Sequence, residues 1–112
     1  VMAVTVAMFI KYENDKKAEM IRSPSDRAEV SRNAVAAMGG KLLYAYGTFG
    51  EFDMMFVYEM PDMTAVTANM MLADASGMSK YHKIIPLFSN DEFLTAQARA
   101  GEMTHTYKAV NE

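Results

Sequence analysis

Between Lys41 and Met60 the chain reads KLLYAYGTFGEFDMMFVYEM, and few folds can accommodate it. The runs KLLYAYGT (41–48) and MMFVYEM (54–60) have the aromatic and aliphatic make-up of strands, and Phe49-Gly50-Glu51-Phe52-Asp53 joins them as a hairpin. A strand on a half-solvated sheet alternates apolar with polar side chains. Here both sets are apolar: Leu43 and Ala45 against Leu42, Tyr44 and Tyr46, then Met55 and Val57 against Met54, Phe56 and Tyr58. One face can cover helices. The other presents more contiguous apolar area than the roughly few hundred Å² a soluble monomer tolerates, so it requires a cover.

The rest of the chain supplies the partners of that hairpin. AVTVAMFIK (3–11) reads as a first strand, with Val4, Val6, Met8 and Ile10 on one face and Thr5, Ala7, Phe9 and Lys11 on the other. The charged segment DKKAEMI has room for a short helical turn. Ser23-Pro24-Ser25-Asp26 marks a helix start, with Ser23 as cap and Pro24 in the first turn; the helix runs to Met38 and Gly39-Gly40 stops it. Ala28, Val35 and Met38 form its apolar stripe. Pro61-Asp62 opens a second helix over about 63–76, with Met63, Val66, Met70 and Ala73 buried. KYHKIIPLF (80–88) reads as a fourth strand, placed at an edge or bulge by Pro86. Ser89-Asn90-Asp91-Glu92 is a capping box for a short helix to about Ala100.

Strand, helix, strand, strand, helix, strand is the ferredoxin-like βαββαβ order, an α+β fold with a four-stranded antiparallel sheet and both helices on one face. At 112 residues the expected organisation is one domain (1–100) and a tail (101–112), frayed or docked on a neighbour. A chain this short has little to spare as a cover for the second sheet face. A second copy packed sheet to sheet is the economical solution, and a small-molecule cleft closed by the tail is the other.

Composition removes several function classes. There is no cysteine, hence no disulfide scaffold, thiolate metal site or cysteine nucleophile. A net charge of −3 with scattered basic residues gives no footprint for nucleic acid, and Glu51, Asp53 and Glu59 beside Phe56 and Tyr58 put acid where an RNA phosphate would run. No apolar run reaches the ~20 residues that span a membrane. The opening Val1-Met2-Ala3-Val4 reads as a strand and not as a secretory signal, so the expected location is the cytoplasm. Twelve methionines are the compositional oddity; the pairs Met54-Met55 and Met70-Met71 fall inside regular elements, as flexible core and interface filler.

The chain resembles the GYD-domain proteins, a group placed among the dimeric α/β barrels. The resemblance is carried by Ser23-Pro24 with Arg27-Ala28-Glu29, Gly39-Gly40-Lys41-Leu42, Gly50-Glu51-Phe52-Asp53, Glu59, Pro61-Asp62, and Phe88-Ser89 with Glu92-Phe93, over about residues 3–95. The naming motif is Gly-x-Tyr-Asp; Phe52 stands at its tyrosine, so a phenol role there is lost. The resemblance implies a ferredoxin-like subunit that dimerises through its sheet, and it implies no activity.

Two functions stay open: a homo-oligomeric binding or assembly module, or a small cofactor-free isomerase or monooxygenase acting on an apolar carbonyl or aromatic compound. For the second, Asp53 and His82 are the candidate bases, and Tyr12, Tyr44, Tyr46, Tyr58 and Phe52 the candidate substrate contacts. Asp53 also has a purely structural reading, its carboxylate accepting backbone N–H groups in the turn. By alternation His82 shares a face with Ile84 and Pro86, and it lines the space between subunits if that face is the dimer side. No cofactor and no metal is expected. Met103 and His105 form a Met-x-His pair in the tail, more easily read as a tail feature than as a copper or haem ligand set.

Overall fold

Register fixes which face of β1 (Val4–Tyr12) is inside. In the computed structural model, which describes residues 3–110, Val6, Met8, Ile10 and Tyr12 are buried under helices, while Thr5, Phe9 and Lys11 belong to the opposite face. Val1-Met2, at the start of the expected domain, and Asn111-Glu112, at the end of the expected tail, lie outside the described residues. The chain continues through α1 (Asn14–Arg22), α2 (Arg27–Ala37), β2 (Lys41–Gly47), β3 (Met54–Met60), α3 (Met63–Ala75), β4 (Ser79–Leu87) and α4 (Asn90–Glu102), with a 3-10 turn at Thr104–Thr106. The sheet runs β2-β3-β1-β4 with every neighbour antiparallel, the ferredoxin-like arrangement.

The core lies between that sheet and α2 and α3. Val6, Met8, Phe56, Tyr58 and Met60 from the strands meet Val35 of α2 and Val66 and Met70 of α3, with Met20 of α1 packed at the margin. Gly40 makes the close approach of α2 to the sheet: an added Cβ would sit 2.5 Å from the Glu59 carbonyl oxygen.

Four local details differ from the sequence reading. The segment after β1 is a full helix, α1, and Ser23 is its C-cap, the Ser23 N–H bonding to the Glu19 carbonyl. The cap of α2 is therefore Asp26, whose Oδ1 accepts the Glu29 N–H at 3.1 Å, and not Ser23; Pro24 lies in the link between the helices. Met63, at the first turn of α3, is half exposed, and Asn69 takes a place in the buried stripe. Strand β2 carries a bulge: Leu42 pairs with Tyr58 but Tyr44 with Val57, so the alternation shifts at Leu43. Leu42 and Ala45 consequently both pack on the core, where plain alternation would have put Leu42 beside Tyr44 and Tyr46.

α4 opens with the expected capping box, Ser89 Oγ accepting the Glu92 N–H at 3.0 Å. It then leaves the domain. Every residue of α4 is exposed, and the helix packs chiefly on the 3-10 turn that follows it. Its projection gives a radius of gyration of 17.8 Å, against about 13 Å for a compact chain of this length.

Candidate functional site

The acidic turn between β2 and β3 is clamped from both sides. Gly50, at φ +98°, makes the turn, and the Asp53 N–H bonds to the Ile10 carbonyl at 2.8 Å. Asp53 Oδ2 accepts the Tyr12 N–H at 3.0 Å, while Oδ1 lies 3.3 Å from Lys11 Nζ and 3.6 Å from Lys17 Nζ. Lys11 also donates to the Gly50 carbonyl at 2.9 Å. Burial works to raise the Asp53 carboxyl; the Tyr12 N–H and the two ammonium groups outweigh it and hold it below the usual carboxylate range. On the other side Phe52 packs on Phe9 and meets Tyr81 edge-on, with centroids 5.3 and 5.8 Å away. The Tyr81 hydroxyl donates to the Glu51 carbonyl at 2.7 Å.

The remaining candidates are divided between the two faces of the sheet. Tyr44 and Tyr46 stack on the open face, 6.4 Å apart and more than half exposed. Tyr58 is fully buried under α3; its hydroxyl lies 3.9 Å from Met70 Sδ and beside Asn69, and burial raises its pKa. Tyr12 is buried next to Arg27, and burial raises its pKa despite the guanidinium. His82 keeps its expected alternation with Ile84 and Pro86, but these pair with Ile10, Met8 and Val6, so the face is the helix side and not the open one. Its Nδ1 lies 3.1 Å from Asp74 Oδ1, a carboxylate on the last turn of α3 that orients the ring. Because Ile10 pairs with His82 on one side and Met54 on the other, His82 stands about 10 Å from the start of β3, two strand spacings away. The catalytic candidates and four tyrosines therefore do not converge on one cavity. Met103 and His105 are exposed at the end of α4 and in the 3-10 turn.

A cavity does exist, on the helix side. It measures about 180 Å³ and lies between α2, α3 and β1. Each helix gives it one stripe at i, i+3, i+4 and i+7: Arg27, Val30, Ser31 and Ala34 from α2, Asn69, Leu72, Ala73 and Ser76 from α3. Met8, Ile10 and Phe56 form its floor, and Tyr12 stands at one end. Past Tyr12 and Arg27 it continues into an open groove bordered by Lys17, Met20 and Asp53. Of the residues expected to meet a substrate, only Tyr12 lines this cavity; Arg27, Ser31 and Asn69 were not singled out for a site. The available signal was Asn69 itself, one amide set among Val66, Met70 and Ala73 on an otherwise apolar stripe.

Among the described residues no helix is long and apolar enough to cross a membrane, and no group of His, Asp and Glu is arranged to hold a metal ion. No curated protein matches the chain. The model of the GYD domain matches residues 7–96, which takes in β1 from Ala7 onward, the other three strands, the acidic turn and the cavity. With most of its length matched, the chain belongs to the GYD domain family.

Proposed function

We propose that this chain is a homo-oligomeric assembly module in which two copies pack their open sheet faces together, with α4 reaching onto the partner. The observation that carries the reading is the open face itself. Tyr44, Tyr46, Tyr81, Ile85 and Leu87 are exposed there, with Phe9, Met55 and Val57 between them. The apolar surface continues through the stacked Phe88 and Phe93 onto α4, where Leu94 and Met103 are also exposed.

Size supports the participation of α4. Four strands at ~4.8 Å spacing and about seven residues at ~3.3 Å give the sheet a projected area near 440 Å². A stable interface buries ~800 Å² per partner, so the sheet alone falls short. α4, 13 residues long, adds a strip about 20 Å by 10 Å. An isolated helix of that length is marginal in water, which makes a partner surface its natural support. The distance between Asp53 and His82, and the occupation of Asp53 by lysines and a backbone N–H, favour this reading over the isomerase or monooxygenase one.

Native mass spectrometry and light scattering test it. The expected mass is an even multiple of 12.5 kDa. Val57→Lys, at the middle of the open face, should shift the assembly to single chains, since an unpaired charge at an apolar interface costs about 2–5 kcal/mol. Single chains throughout the micromolar range for the unaltered protein would refute the proposal.

A further inference from the structure

We propose that the cavity between α2, α3 and β1 binds a small aromatic carboxylate, its ring over Met8, Ile10 and Phe56 and its charge on Arg27. The cavity faces away from the open side of the sheet, so the inference stands whether or not two copies pair there.

Three observations carry it. The first is a buried amide on the cavity wall. Asn69 is only 7% exposed, and the Tyr58 hydroxyl beside it can take up one hydrogen bond of an amide that has two donors and a carbonyl. The same side chain lines the cavity, where a ligand can meet it. The second is charge. Arg27 borders the cavity, and among the described residues its guanidinium meets neutral oxygens, Ser25 Oγ at 3.4 Å and the Tyr12 phenol, and forms no ion pair. The acid that might have paired with it, Asp53, is already held by Lys11 and Lys17. A planar guanidinium facing an apolar enclosure is suited to a carboxylate, which it can hold through paired N–H bonds.

The third is size and lining. In another protein a dry apolar cavity of about 150 Å³ admits benzene; this one is about 180 Å³ and adds polar groups at its rim. Phe56, Met8 and Met78 offer a ring and two thioethers, which favour contact with an aromatic ring. Val30 and Leu72, on the stripes facing the cavity, are about half exposed. An apolar occupant would cover both.

Benzoate is the probe, with benzamide as its neutral counterpart, and the twelve methionines supply reporters. On methyl-labelled whole chain, benzoate should shift Met8 and Met78 and the Asn69 side-chain amide saturably, with a Kd of about 1 mM or tighter for a ligand this small. Benzamide should bind at least about tenfold more weakly, and Arg27→Met should lower benzoate affinity by a similar factor. Ala34→Phe, which places a ring in the cavity from α2, should abolish the shifts and keeps the test decisive if Arg27→Met does not fold. No saturable shift at Met8 and Met78, equal binding of benzamide, or undiminished binding by either folded variant would overturn the proposal.

Discussion

Replacing Asp53 measures what the clamp around the acidic turn contributes. Asp53→Ala removes a charged acceptor from the Tyr12 N–H and two ion pairs. A hydrogen bond to a charged group is worth about 1.5–3 kcal/mol, and each partly exposed pair about 0.2–1 kcal/mol. Lys11 retains the Gly50 carbonyl, so its share of the loss is small. The sum is about 2–4 kcal/mol. Asp53→Asn keeps an oxygen for Tyr12 and should cost less, about 1–3 kcal/mol, or roughly 5–12 °C in Tm for a domain of this size. The folded carboxyl sits below its unfolded value, so the folded state binds fewer protons as pH falls. Its stabilisation is therefore complete above the unfolded pKa of about 3.9 and is lost as pH drops through the folded value. Melting curves of the Asn variant and the unaltered chain, separated at pH 7, should converge in acid. An unchanged or raised Tm for Asp53→Asn at pH 7 would refute the structural role and mark the carboxylate as held for chemistry.

Gly40→Ala should be among the most destabilising small substitutions, by about 2–4 kcal/mol, because its Cβ meets the Glu59 backbone oxygen, which cannot swing aside as the Met60 side chain at the same distance can; chemical denaturation measures it. Asp62→Ala should cost about 1 kcal/mol by removing the acceptor that holds the Ala65 N–H at 2.8 Å. Asp62→Ser, which can cap, should recover most of that loss in the same denaturation series.

The fold was largely legible because its strongest signals are local. Strand β3 runs over Met54–Met60 as read, and Asp62 and Ser89 cap the helices they precede. What escaped were choices between neighbours. Ser23 and Asp26 are both good caps, and only the formation of α1, which takes Ser23 as its end, decides for Asp26. The bulge in β2 has no mark in KLLYAYG; it is set by pairing with β3. The site was less legible. Asp53 reads from sequence as an acceptor for N–H groups of its own turn, but the N–H it takes is that of Tyr12 on β1, and which face of β4 carries His82 likewise depends on register against β1, far away in sequence. The cavity depends on two helices standing apart, and no single segment records that.

The bulge at Leu43 also gives β2 one position where a residue can be lost without moving its neighbours to the other face. A sheet has a reading frame of two, and the extra residue stands outside that frame. Removing Leu43 would leave Leu42 on Tyr58, Tyr44 on Val57 and Ala45 on Phe56, an unbroken ladder with the two tyrosines still on the open face. A homologue one residue shorter here would then keep both its core and its stacked tyrosine pair, whereas loss of Ala45 would put Tyr44 and Tyr46 on opposite faces.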